Sequence, residues 1–165
     1  MEVEEKPYYP VFLKLDGRAC LVVGGGLVAW RKIAGLVECG GRVIVVAPRV
    51  GAEVEEAAGR GELEIRRREF SENDLEGIFL VYAATDRPET NARVLELARQ
   101  VGCLAAAVDA SWRQGDFLTP ARFRHDGVTV AVSSHGKSCC RSRDLKNEIR
   151  DILQGNDSGG TPSIG

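Results

Sequence analysis

The sequence predicts an α/β fold: a doubly wound parallel sheet, then a small antiparallel sheet and a short C-terminal helix. Three observations carry this. Apolar runs at residues 19–23, 43–47, 78–84 and 103–108 lack the polar alternation of half-exposed strands, as strands covered on both faces must. Stretches with helical spacing separate most of them, which forces right-handed crossovers between parallel strands. Beyond Trp112 the strand signals follow one another with no helix between them, the mark of a separate layer.

Taken in order, Tyr9-Pro10-Val11-Phe12-Leu13-Lys14-Leu15 reads as a short strand, turned by Asp16-Gly17 into the next. Residues 18–23 then run straight into Gly24-Gly25-Gly26. Over residues 27–39 Val28, Ala29, Ile33, Leu36 and Val37 recur at helical spacing, and Gly40-Gly41 stops the helix. The pattern repeats with a strand at 43–47 ended by Pro48, a weaker helix at 51–58 interrupted by glycine, and a short strand at 63–65. A strand at 78–84 leads to a helix from Pro88 to about residue 101, with proline in its first turn, and the strand at 103–108 ends at Asp109.

Phe117-Leu118 and residues 121–124 and 128–132 read as antiparallel strands, with His125-Asp126-Gly127 turning between the last two. So small a sheet cannot bury itself in water, so it is expected to pair with that of a second copy in a homodimer. Ser138 is the expected cap of a helix over 139–154, and residues 155–165 are polar and glycine-rich enough to be disordered. The expected organisation is a dinucleotide-binding domain over 1–112, a β dimerisation segment over 113–138, the helix over 139–154 and the tail over 155–165.

Composition narrows the function. A chain of 165 residues with 44% hydrophobic and 28% charged residues is that of a soluble globular protein, and a net charge of -2 gives no overall pull toward nucleic acid. No apolar run approaches the roughly 20 residues of a membrane span, and Met1-Glu2-Val3-Glu4-Glu5 is the reverse of a signal peptide's basic start. Neither a membrane nor a nucleic acid is expected as partner, and a cytoplasmic location follows. The five cysteines form no CxxC pair and read as reduced thiols.

Gly24-Gly25-Gly26-Leu27-Val28-Ala29 fits GxGxxG/A after a buried strand and at the opening of a helix, the Rossmann-type arrangement for NAD or NADP. In that reading Gly24 makes the turn, Gly26 lets backbone approach the pyrophosphate, Leu27 and Val28 present their amides, and Ala29 permits close helix packing. A merely tight strand-to-helix turn is the plain alternative. The fingerprint expects an acid about 20 residues on, yet Val46-Ala47-Pro48-Arg49 stands there. Pro48 and Arg49 are therefore candidate cofactor contacts. Arg49 suits a 2′-phosphate, stacking on adenine or simple surface cover, so NADP is not excluded.

With that turn, Ala83-Ala84-Thr85-Asp86, Val108-Asp109-Ala110, Phe117 with Pro120-Ala121, and Val130-Ala131-Val132-Ser133-Ser134 in order, the chain resembles the precorrin-2 dehydrogenase and sirohydrochlorin ferrochelatase family, the N-terminal half of sirohaem synthase. The resemblance covers about residues 9–150. It implies NAD-dependent oxidation of the tetrapyrrole precorrin-2 to sirohydrochlorin, in some relatives followed by Fe²⁺ insertion, in a dimer with swapped central sheets.

On this resemblance Asp109 is the catalytic aspartate, placed at the carboxyl end of a parallel strand, where a base needs partial burial to act well. A turn-capping aspartate is the alternative. Thr85 adjoins the nicotinamide end of the cofactor, while Asp86 reads equally as a cap for the helix at Pro88. A substrate with eight carboxylates calls for cations. Residues 113–150 carry eight Lys and Arg against four Asp and Glu, and Ser134, Lys137 and Arg141 are the candidate substrate contacts, a solvated helix face being the alternative. The family usually has glycine where His135 stands and proline where Cys139 stands. His135, Cys139 and Cys140 are metal-ligating residue types without recognisable ligand spacing, so no metal site is assigned. After about Leu153 the relatives continue with further helices, which leaves ferrochelatase activity open here. Two other readings are a non-enzymatic module sensing NAD(H) or a tetrapyrrole, and a chelatase without dehydrogenase activity.

Overall fold

The strand that precedes the glycine turn, β1 (Ala19–Val23), lies at the centre of a five-stranded parallel sheet. Its neighbours are β2 (Arg42–Val46) on one side and β4 (Leu80–Ala83) on the other, and β3 (Leu63–Arg66) and β5 (Leu104–Ala107) complete the order β3-β2-β1-β4-β5. The structure, a computed structural model, describes residues 6–157. It divides into two units, Pro10–Phe117 with this sheet, and a second from Leu118 onward together with the residues through Tyr9.

The side chains of β1 alternate between two apolar layers. Cys20 and Val22 pack with Ala29, Ile33 and Leu36 of α1 (Leu27–Glu38) and Val54 of α2 (Ala52–Gly59). Leu21 and Val23 pack with Val94, Leu95 and Ala98 of α3 (Pro88–Val101). Helices on both faces make every residue of β1 buried, which is why its sequence shows no polar alternation. Each such Val or Leu side chain contributes about 1.5–3 kcal/mol. The glycines near α2 flank it rather than interrupt it, Gly51 preceding its first turn and Gly59 ending it. All five cysteines are free, and burial pushes the Cys20 and Cys103 thiols up to about 11.

Two expected strands do not form. Residues 9–15 pair with no strand, and Tyr9 and Phe12 stay 86% and 76% exposed. The chain enters at β1, whose two edges are already occupied by β2 and β4; of this segment's large apolar side chains only Leu15 reaches the core. Phe117-Leu118 is likewise unpaired, since Phe117 spends its ring edge-on against Tyr82 at 5.3 Å.

Two short 3₁₀ turns, Glu72–Leu75 and Ala110–Gln114, escape hydrophobic periodicity because local side-chain capping makes them. In the first, Ser71 and Asp74 form a reciprocal capping box. Asp74 is buried and takes a two-pronged ion pair from Arg68 at 2.5 and 2.7 Å, and the Ser71 amide at 2.9 Å.

In the second unit β6 (Ala121–His125) pairs antiparallel with β7 (Val128–Val132). Asp126 and Gly127 turn between them with φ of 45° and 76°, the two left-handed residues that a tight hairpin demands. None of the ten strand residues is fully buried. Ser138 caps α4 (Cys139–Asp157), its Oγ accepting the Arg141 amide at 3.2 Å. The helix runs three residues past the expected end, because Gly155 weakens a helix by only about 1 kcal/mol and no proline stops it. Residues 158–165 of the expected tail lie outside the described residues. No described helix is long and apolar enough to cross a membrane.

Burial raises the Asp74 pKa, but Arg68, the Ser71 amide and Arg66 together outweigh it and the net effect is a lowering. The stabilisation is therefore complete above the unfolded-chain value of about 3.9 and is lost as pH falls through the folded value. Urea titrations should show Asp74→Asn less stable than wild type by about 1–3 kcal/mol at pH 7, with the gap closing below about pH 4.

Candidate functional site

The chain leaves β1 through Gly24, whose φ is 120° and whose amide donates to Val46 O at 2.9 Å. A Cβ at Gly24 would strike the Ala84 carbonyl at the end of β4, and one at Gly25 would strike Val50 and the Arg49 carbonyl. Gly26 differs, since a Cβ there would meet nothing within 4 Å. Folding requires the first two glycines and leaves the third unexplained by packing. The space beside it is open to a ligand lying against the turn.

Gly26 is the N-cap of α1, yet it offers no capping side chain, and no acid stands in the first turn. The amides of that turn have no partner within the helix, and the positive end of its dipole is unopposed. By contrast α2 carries Glu53 and Glu55 in its first turn. The opening of α1 thus fits the diphosphate of a dinucleotide.

Around the turn lies a cleft of about 680 Å³, confined to the carboxyl edge of the sheet. Gly24, Gly26, Leu27 and Val28 form one wall, and Pro48 and Arg49 after β2 another. Thr85, Asp86 and Arg87 after β4 close it, and Val108 after β5 reaches its floor. Glu69 and Phe70, from the segment after β3, also line it, although periodicity gave no reason to single them out. All seven candidate cofactor contacts therefore stand in one place, on both sides of the point where β1 and β4 lie side by side.

Asp109 follows directly on Val108. Its Oδ1 accepts the Ser111 amide at 2.9 Å and so caps the turn Ala110–Gln114, while its Oδ2 accepts from Asn91 Nδ2 at 2.7 Å. The capping reading is thus correct as geometry, and the residue that precedes the cap, Val108, lines the cleft. Partial burial raises its pKa, but the donors from Asn91 and Ser111 outweigh burial and the net effect is a lowering. Where sequence reasoning looked to burial to tune this group, hydrogen bonding sets it instead.

Asn91 is the residue that sequence reasoning missed. It sits on α3 in register with Val94, Leu95 and Ala98, an amide on an otherwise apolar face, and it is fully buried. A polar residue at i relative to apolar i+3, i+4 and i+7 was the available signal. Its Oδ1 accepts the Thr85 amide at 3.1 Å and the Thr85 hydroxyl at 2.8 Å, and its Nδ2 also donates to Thr85 O at 3.0 Å. The Thr85 hydroxyl accepts the Arg87 amide at 3.1 Å as well, so Asp86 caps nothing at the start of α3.

The remaining candidates belong to the second unit. Ser134 Oγ accepts the Ser138 amide at 2.9 Å and donates to Ser138 O at 2.9 Å, with the Ser142 hydroxyl at 3.0 Å. This ties the loop to the first turn of α4. Lys137 and Arg141 are exposed, as are Cys139 and Cys140. His135 holds φ at 55°, the left-handed value that favours glycine, and its Nδ1 accepts the Tyr8 amide at 3.1 Å.

Comparison with known proteins adds an independent line. A family model described as "Putative NAD(P)-binding" matches residues 11–121. A precorrin-2 dehydrogenase of Priestia megaterium is 33% identical over 141 residues, covering 86% of this chain and 69% of the relative. A siroheme synthase of Nitrosococcus oceani is 38% identical over 146 residues, 88% of this chain but 31% of that protein, so this chain spans about a third of the siroheme synthases it matches. The solved structure of SirC, a precorrin-2 dehydrogenase, superposes with a TM-score of 0.72 at 33% identity, over 90% of this chain and 71% of that one.

The glycines provide a direct test. Gly26→Ala should lose no more than about 1 kcal/mol of stability, the cost of alanine at an N-cap, yet bind NAD⁺ at least tenfold more weakly by calorimetric titration. Gly24→Ala should lose about 3 kcal/mol or more of stability, from the strained φ and the collision with Ala84.

Proposed function

The chain belongs to the precorrin-2 dehydrogenase family, and from that premise we propose that it oxidises precorrin-2 to sirohydrochlorin with NAD⁺ as acceptor. One observation carries the proposal: the glycine turn suited to a diphosphate and the carboxylate of Asp109 stand on the same edge of the sheet, joined through Thr85 and Asn91. The bound nicotinamide supplies a hydride acceptor. Every other task falls to the chain.

Oxidation removes a hydride and a proton from the tetrapyrrole. As the hydride departs, positive charge develops on the substrate, and a fixed carboxylate in a partly dry site stabilises it. Asp109 stays charged at neutral pH for the reasons already given. Its low basicity does not prevent proton transfer, because a proton next to a developing cation is itself acidic.

Lys137 and Arg141 are proposed to meet the substrate's carboxylates, supported by their exposure and by the excess of cations over residues 113–150, with Ser134 holding their loop against the first turn of α4. A homodimer formed through the β6–β7 sheet accounts for a pair of strands with no fully buried residue. A cytoplasmic setting suits five free cysteines. NAD rather than NADP is proposed, with Arg49 as the residue that would admit the 2′-phosphate.

Anaerobic incubation of the purified protein with precorrin-2, in parallel with NAD⁺ and NADP⁺, tests the proposal optically. Turnover should depend on the dinucleotide, run faster with NAD⁺, and fall at least about 10²-fold in Asp109→Asn while NAD⁺ affinity stays within about twofold. Tight dinucleotide binding without turnover would replace the enzyme by a sensing module. Light scattering should return twice the chain mass of 17.9 kDa; a monomer would remove the dimer from the account.

A further inference from the structure

Asn91 is an unusual expenditure of buried space. A primary amide on the apolar face of α3 loses water that only hydrogen bonds can replace, and this one has two donors and an oxygen with two lone pairs to satisfy. Its partners are of fixed character. The Thr85 amide can only donate and the Thr85 carbonyl can only accept, so together they set which end of the Asn91 side chain is oxygen and which is nitrogen. One N–H then remains, and it points at Asp109 Oδ2 at 2.7 Å. An N–H in that position rewards a carboxylate over a carboxylic acid.

We propose that Asn91 is a positioning residue for the oxidation, one that holds Asp109 as an oriented carboxylate and ties it to the cofactor wall at Thr85. This rests on the role assigned to Asp109 above. The Thr85 end orients the amide and the Asp109 end uses the orientation. The connection spans three elements, since Thr85 follows β4, Asn91 lies on α3 and Asp109 follows β5. Asp109 is thereby fixed from two directions, by Asn91 on one oxygen and by the Ser111 amide on the other. From its own turn the Ser111 side chain also bonds this carboxylate, while the Arg113 guanidinium lies over the Trp112 ring.

The test uses Asn91→Ala, which removes the donor, and Asn91→Asp, which keeps the shape but replaces the donor with an acceptor. Carboxyl NMR titration of the full chain without substrate reads Asp109 directly. The Asp109 pKa should rise by about one unit in Asn91→Ala and by more in Asn91→Asp, where two acids share one site. In turnover assays kcat should fall about tenfold at pH 7 with KM for precorrin-2 within about twofold, and the acid limb of the kcat profile should move up with the Asp109 pKa.

An unchanged Asp109 titration in either folded variant would overturn the inference, as would a loss of activity with no movement of the acid limb. Asp109→Asn separates the two claims. If that variant keeps wild-type turnover, the assigned role of Asp109 fails; if it is inactive while both Asn91 variants titrate and turn over like wild type, only the positioning role fails.

Discussion

Gly24 has the carbonyl of Ala84 where any other residue would carry its Cβ, and that single close approach draws the ends of β1 and β4 together. These are the two strands from which the chain winds in opposite directions, toward β2 and β3 on one side and toward β5 on the other. Crossover helices must lie on opposite faces there, so no helix roofs the carboxyl edge and a crevice is left open. The cleft, the unopposed N-terminus of α1 and the placement of Asp109 two strands away all follow from this junction. A side chain at Gly24 would push β4 outward, and Thr85, Asn91 and Asp109 would move with it.

Within the crevice the division of labour is electrostatic. The turn that opens α1 presents amides and no acid, which suits a diphosphate. On the far side a carboxylate is kept charged by donors from Asn91 and Ser111 in spite of partial burial. In the proposed oxidation such a carboxylate suits the step that follows hydride loss, because that loss creates positive charge in the substrate before its proton leaves. The positive and negative ends of the site are separated by Thr85, whose hydroxyl is engaged with Asn91 and Arg87 and whose backbone is anchored by Asn91.

The parallel sheet was legible because buried strands and capped helices leave strong local signals: residues 19–23 are apolar on both faces, and Gly40 ends a helix with φ of 75°. The strand expected at 9–15 shows where such signals stop. Its composition is that of a strand, but an edge to pair with is a property of the whole topology, and β1 has none to spare. Candidate contacts on the glycine turn and after β2 and β4 could be read because each follows directly on a recognisable strand. Glu69 and Phe70 could not, since the segment after β3 has no periodic pattern. Asn91 left one mark in the sequence, a polar residue on the apolar face of α3, but its importance lies in two partners, Thr85 and Asp109, that are distant in sequence from one another.

The most direct measurement is a crystal structure of the chain with NAD⁺ bound. The diphosphate should lie against the amides of Leu27 and Val28 beside Gly26, with the adenosine toward Pro48 and Arg49 and the nicotinamide at the Thr85 end, facing the side on which Asp109 stands. A nucleotide bound elsewhere, or one reversed so that adenine occupies the Thr85 end, would contradict the account.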